Sequence, residues 1–336
     1  MIDNFKKLCT IPAVSGNEKA IRDYIISEIK NYCEWSVDRN GNLICLKKGK
    51  RSAARKIMVD AHIDEVGIIV TGYTDLGYLR FATVGGISPA VMSARRVIFE
   101  NGTIGIIGSK PVHLASTDEK KKYPDEDNLY IDIGADSEEE AKTLVSLGSV
   151  AVFEGKVTEQ GDNIIARAID DRAGVAVLIE LLKSPAEYDF CATFTVQEEV
   201  GCRGAKTAAY SLDPDGAIVL EATTAADLEG VSSDKQVCRL GDGPAVSFMD
   251  RSTLYDKRLY EAALKSGIKC QPKAAVAGGN NSGAVHLTRG GVPTLAISVP
   301  CRYIHSPSCL ANIGDIKGMK ELAEYMICKM ASGELL

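Results

Sequence analysis

Val59-Asp60-Ala61-His62-Ile63-Asp64-Glu65-Val66-Gly67 is where two textures of sequence meet. The apolar run over 57–60 predicts a strand that ends at His62. From about Gly67 to Gly161, β-like stretches (67–71, 78–84, 97–100, 103–107, 129–133 and 150–157) are divided by Gly, Asn and Asp turns. One helical piece, about 137–147, interrupts them. Upstream, Ser15-Gly16-Asn17-Glu18 reads as a capping box ahead of Ile21, Tyr24, Ile25 and Ile29 at helical spacing. Downstream, strands at 190–196, 217–220 and 294–299 alternate with helices at 171–183, 203–210, 254–266 and 315–331. That alternation predicts an α/β fold with a mostly parallel sheet covered by helices. The simplest organisation is one α/β domain, 1–66 plus 162–336, carrying a β-rich domain inserted at 67–161.

Composition narrows the function classes. A chain of 336 residues that is 45% apolar can bury the cores of two domains. A net charge of −6, with no Lys/Arg stripe, argues against nucleic acid as a partner. Ten cysteines without a CxxC spacing read as reduced thiols. Neither a signal peptide nor an apolar run of roughly 20 residues is visible, so a soluble, cytoplasmic protein without a membrane partner is expected. The charged stretch 117–127 reads as a solvated loop.

The chemistry concentrates at strand ends. Only four histidines occur, and His62 and His305 each follow closely on an apolar run. Asp170-Asp171 opens a helix, Glu198-Glu199 closes the strand 190–196, and Glu221 ends Ala217-Ile218-Val219-Leu220. Two imidazoles with paired carboxylates form the ligand set that zinc and cobalt use for hydrolysis. Asp64, two residues after His62, shares its strand face and can accept the second ring N–H. Adjacent acids at 198–199 repel each other unless a cation or proton intervenes. Each motif has an ordinary alternative: a helix cap for 170–171, an acidic turn for 198–199. Their joint occurrence in one sheet favours a two-metal site. His113 and His286 read as bystanders. Gly278-Gly279-Asn280-Asn281-Ser282-Gly283 lacks the Gly-Lys-Ser/Thr of a phosphate loop and reads as a close backbone approach to a site.

These motifs resemble those of the tetrahedral aminopeptidases, also known as glutamyl or deblocking aminopeptidases and sometimes labelled endoglucanases. The matches are Ala61-His62-Ile63-Asp64-Glu65-Val66-Gly67, Ile169-Asp170-Asp171-Arg172-Ala173-Gly174, Gln197-Glu198-Glu199-Val200-Gly201 and Arg302-Tyr303-Ile304-His305-Ser306-Pro307, in family order along nearly the whole chain. The resemblance implies a metallopeptidase that removes N-terminal residues from peptide substrates. It implies two divalent ions (Zn²⁺ or Co²⁺) about 3.5 Å apart. Asp170 would bridge them, His62 and Glu221 would complete one site, and Glu199 and His305 the other. Glu198 would be the general base, Asp64 the orienter of His62, and 67–161 the dimerisation domain of a dodecameric homo-oligomer. Two positions depart from the family: Glu221 stands where Asp is usual, and Asn280-Asn281-Ser282 where Thr-Asp is usual.

A two-metal deacylase of N-acyl amino acids would use the same ligands and differ in needing a blocked N-terminus. A glycanase would leave both histidines idle. A non-catalytic scaffold would keep the fold without needing the ligand set.

Overall fold

The computed structural model describes the backbone of residues 1–336 and every side chain except that of Glu119. Its strands form an 11-stranded sheet and a separate closed barrel. In the sheet, Phe190–Thr195, Ile57–His62, Gly216–Thr224 and Thr294–Arg302 lie side by side and run parallel. These four are buried almost throughout, as parallel strands covered on both faces must be. The parallel centre comes from the strand–helix alternation, because parallel neighbours need crossovers. The flanks are antiparallel: Leu43–Lys47 and Glu34–Val37 on one side, then Cys309–Asn312, Asn163–Ala166 and Thr158–Gln160 on the other. The sheet as a whole is therefore mixed.

Period-2 alternation sorts the central strand by face. Ile57, Val59 and Ala61 join the larger core, built with the helices Ile169–Lys183 and Ile313–Ala331. Met58 joins a smaller one made with Ala205, Ala208 and Ala209 of the helix Arg203–Leu212 and with Val285. Asp60 and His62 share the Met58 face, so the polar groups gather on that side. The remaining helix expectations shift only at their ends; 254–266, for instance, is helical over Lys257–Leu264, where Asp256 caps it by accepting from Arg258 N at 2.8 Å. Among the described residues, no helix is long and apolar enough to cross a membrane.

The inserted barrel runs Gly67–Tyr73, Leu79–Val84, Tyr130–Asp132, Ile104–Gly108, Arg96–Phe99, Val150–Phe153 around its closed circuit. It has its own core, including Ile68, Val70, Val97, Phe99, Ile107 and Ile131. The expected boundary at 161 falls at a hairpin of the large sheet. Barrel pairing ends at Phe153, and Thr158–Gln160 already pairs with Asn163–Ala166 in the large sheet. Gly161, at φ 61°, is the turn of that hairpin rather than a domain junction. Gly67 is needed where the chain enters the barrel: a Cβ there would lie 2.4 Å from Val14 Cγ2 and 2.8 Å from Ala151 O.

A buried ion cluster ties the two crossings together. Glu65 precedes the barrel, and Arg167 and Arg172 follow it. Arg167 donates to Glu65 Oε2, and Arg172 donates to Glu65 Oε1 at 3.0 Å, to Ile11 O at 3.3 Å and to Ile63 O. Arg172 is fully buried. Breaking such a cluster from one side leaves an uncompensated buried charge and two orphaned carbonyls, so Arg172→Met is expected to destabilise the fold by about 3–5 kcal/mol. Urea denaturation of the variant checks this, and an unchanged midpoint would contradict it.

Candidate metal centre

The strand Ile57–His62 delivers His62 to the sheet's upper edge with its side chain 1% exposed. Its Nε2 lies 3.3 Å from Asp170 Oδ1 and 3.2 Å from Glu221 Oε1. On the far side, His305 Nε2 lies 3.2 Å from Asp170 Oδ2 and 3.3 Å from Glu199 Oε1. Asp170 thus presents one carboxylate oxygen to each imidazole. The structure brings together all five residues expected as ligands.

The two aspartates divide the work anticipated for either. Asp170 and Asp171, joined by a cis peptide, both lie outside helical geometry. Asp170 turns to the imidazoles. Asp171 is buried and accepts from Gly174 N at 2.9 Å, capping the regular helix that starts beyond it. Gly174 is required by this arrangement, since a Cβ there would sit 2.4 Å from Asp171 Oδ2.

Asp64 faces His62 with both its backbone and its side chain. His62 Nδ1 faces the Asp64 backbone carbonyl at 3.1 Å, with the carboxylate farther off at 3.5 Å. The carboxylate accepts from Glu198 N at 2.9 Å, Glu199 N at 3.2 Å and Ser15 Oγ at 2.6 Å. It therefore fixes the backbone that carries both glutamates. Ser15 is correspondingly not a helix cap. Its hydroxyl is used on Asp64, while Glu18 accepts from Gly16 N at 2.7 Å and from Gln197 N at 3.2 Å. Gly86, on a loop of the inserted barrel, also enters the site: its carbonyl lies 2.8 Å from His305 Nδ1 and orients that ring. A Gly85-Gly86 pair beside a barrel strand was the signal available for it. His113 lies exposed on a short turn of the insertion, and His286 follows the helix Ser282–Val285 with its Nδ1 2.8 Å from Ser282 O.

The glycine-rich loop is anchored from beneath. Asn281 Nδ2 donates to Asp60 Oδ2 at 2.8 Å and to Thr195 Oγ1 at 2.9 Å. Thr193 Oγ1 donates to Asp60 Oδ1 at 2.6 Å. Burial pushes the Asp60 carboxyl up to about 6, against the pull of these donors. Gly278, Gly279 and Asn280 then form one wall of a cleft of about 440 Å³, whose other walls include Asp170, Glu198, Glu199, Glu221 and His305.

The electrostatics of this cleft are unbalanced. Burial raises the carboxyls of Glu221 and Asp171 well above the ordinary range. Burial also lifts Glu198 to about 7; His62 opposes that rise, and Glu199 and Asp170 add to it. Burial works against protonation of His305, but Asp170 and Glu199 push it up to about 11. His62 is likewise raised, by Glu221, Asp170 and Asp64 against its burial. Arg167 and Arg172 pair with Glu65 instead of with this cluster.

A bound cation fits the donor set. Ligands at about 2.0–2.1 Å in a tetrahedron stand about 3.3–3.4 Å apart. The four imidazole–carboxylate separations, 3.2–3.3 Å, match those edges. Among the described residues, Glu199 Oε1, despite its distance to His305, has no hydrogen-bond donor, nor do Glu221 Oε2 and Asp171 Oδ2. Such buried acceptors need a partner.

The sequence profile of the M42 glutamyl aminopeptidases matches residues 41–322. The chain belongs to that family. A relative from Acetivibrio thermocellus, named as an aminopeptidase, is 44% identical over 335 residues, which is 98% of each protein. The lysyl aminopeptidase of Pyrococcus furiosus is 32% identical, aligned over 96% of this chain and 95% of that one. Among solved structures, the Pyrococcus horikoshii TET1 peptidase, which can assemble into a tetrahedron or a large octahedral shell, superposes with a TM-score of 0.84 at 36% identity, covering 96% of this chain and 98% of that one. The protein is thus a peptide hydrolase of the aminopeptidase type, in a metal-dependent family.

The anchor beneath the loop yields a test. Asn281→Asp sets a second buried carboxylate against Asp60, which is expected to cost about 3 kcal/mol or more and to lower peptidase activity. Exchanging the pair, as Asp60→Asn with Asn281→Asp, is expected to recover most of both. Thermal unfolding and steady-state rates of the two variants check this; an Asn281→Asp protein as stable as the parent would contradict it.

Proposed function

We propose that the chain is a two-metal aminopeptidase, with Asp170 bridging two divalent ions, zinc or cobalt. His62 and Glu221 would hold one ion, and Glu199 and His305 would hold the other. The observation that carries this reading is the symmetric reach of Asp170, whose two oxygens lie 3.3 and 3.2 Å from the two imidazoles. When bound, such ions acidify water and polarise the scissile carbonyl.

The protein's own groups do the rest. Glu198 lines the cleft beside the ligands and, among the described residues, accepts only from Cys202 Sγ, at 3.5 Å, so its carboxylate is available for proton transfer. It takes a proton from the attacking water and returns it to the departing amine. Asp64 holds Glu198 and Glu199 by their backbone N–H groups, keeping the base in place while its neighbour serves as ligand. The five ligands leave the α-amino group of a substrate room in the cleft, which supports cleavage at the N-terminus.

The same reading extends to assembly. Ile104 and Ile106 stand 43% and 50% exposed on one barrel strand, and Val112 and Leu114 nearby are 75% and 62% exposed. Apolar surface of this extent marks a contact face. By likeness to the TET1 peptidase we assign it to subunit contacts in a homo-oligomer, a dodecamer. Light scattering of the full chain is expected to show that assembly, and Ile106→Glu with Val112→Glu a smaller species. A monomeric parent would contradict the assignment.

The adjacent glutamates separate base from ligand. Glu198→Gln is expected to keep its metal while losing about 10²–10⁴ in rate. Glu199→Gln is expected to lose one ion as well as activity. Elemental analysis beside turnover checks both; a fully loaded, active Glu199→Gln protein would remove that residue from the ligand set.

A further inference from the structure

The strands Gly216–Thr224 and Thr294–Arg302 run side by side, and each leads to a ligand assigned to a different ion. Glu221 lies within the first, paired with Ser298. His305 lies three residues past the end of the second. Pairing of the two strands stops at Thr224 and Cys301, and one further backbone bond, Ala225 N to Cys301 O at 2.9 Å, extends it. Beyond that point both chains turn: Ala226 has φ 57°, Tyr303 φ 60° and His305 φ 58°. This left-handed conformation is unfavourable for residues other than glycine and persists where the surroundings impose it.

An ion pair bridges the two chains at this turn. Arg302 Nε donates to Asp227 Oδ1 at 2.7 Å, and Arg302 Nη2 donates to Asp227 Oδ2 at 2.8 Å. Asp227 Oδ2 also accepts from Leu240 N at 3.1 Å, which fixes the carboxylate from a third segment. The Asp227 side chain is 9% exposed. Among the described residues, no other side-chain ion pair or hydrogen bond joins these two strand ends. A guanidinium fork on a carboxylate fixes direction as well as distance. On its other side Arg302 pairs with Leu310, and Cys309 Sγ donates to Tyr303 O at 3.3 Å and to Ser306 O at 3.5 Å. The Asp227 clamp is the restraint on the side of Glu221.

We propose that Arg302 is a positioning residue for the metal centre: clamped to Asp227, it sets where His305 stands relative to Glu221. The proposal rests on the two-ion reading, in which Glu221 serves one ion and His305 the other. A ligand must lie within about 0.2 Å of its proper distance to keep its ion. His305 reaches the site through a short, left-handed link, so a shift at Arg302 passes to its ring. Glu221 sits inside a paired strand and holds its place without the clamp. Losing the clamp therefore weakens the His305–Glu199 ion more than the His62–Glu221 ion.

The test titrates zinc into the full chain, stripped of metal by a chelator, and reads each binding step by calorimetry. Arg302→Met is expected to weaken one step by about 10- to 100-fold and to leave the other nearly unchanged. The weakened step should be the one that Glu199→Gln abolishes. Asp227→Asn should give the same selective loss, and it keeps the test open should Arg302→Met fail to fold. Combining the two should add little, because both remove one contact. Arg302→Lys keeps the charge without the fork and should recover part of the affinity. A parent that binds two ions, with variants that bind both as tightly or lose both equally, overturns the proposal and leaves the two-ion centre intact. A parent that binds fewer than two zinc ions would overturn that centre itself.

Discussion

Six carboxyl groups (Asp64, Asp170, Asp171, Glu198, Glu199 and Glu221) crowd two imidazoles at one end of a sheet, largely out of water. Left alone, that charge is unfavourable, and the upward shifts of Glu198, Glu221 and Asp171 express the strain as a demand for protons. Bound divalent cations would meet the same demand without protonating the carboxylates. Most of the surrounding structure holds this unfavourable gathering in place. Gly174 leaves space for Asp171, Gly86 orients His305, and Asp64 collects donors from two separate segments.

The fold makes the gathering possible because four parallel strands end together. Strands running in one direction deliver their following residues to one edge, which is where open α/β sheets place their chemistry. His62, Glu198, Glu199 and Glu221 arrive this way, and His305 follows the fourth strand. The insertion interrupts the chain five residues after His62, at Gly67, and yet returns to the site through Gly86. The Glu65–Arg167–Arg172 cluster pins the points where the chain leaves and re-enters the sheet.

Much of this could be read from residues alone, for a physical reason. An apolar run that stops at His, Asp or Glu signals both a buried strand and a polar group at its end, so one pattern reported the element and the candidate ligand together. The domain texture was equally visible, since barrel strands are short and turn-rich. What stayed hidden depends on contacts between distant segments. Ser15 fits a capping box by spacing, but its hydroxyl goes to Asp64, 49 residues away. Gly86 acts through a backbone carbonyl, which leaves no side-chain signature. The return to the sheet before Gly161 depends on strand pairing, which residue texture does not specify. Asn281 and Arg302 sit in loops or at strand ends whose register only the folded sheet defines.

Anomalous X-ray scattering from crystals grown with zinc, recorded at the zinc absorption edge, would locate the cations themselves. Two peaks should appear on either side of Asp170, one against His62 and Glu221 and the other against Glu199 and His305. A single peak, or none within reach of Asp170, would contradict a bridged pair.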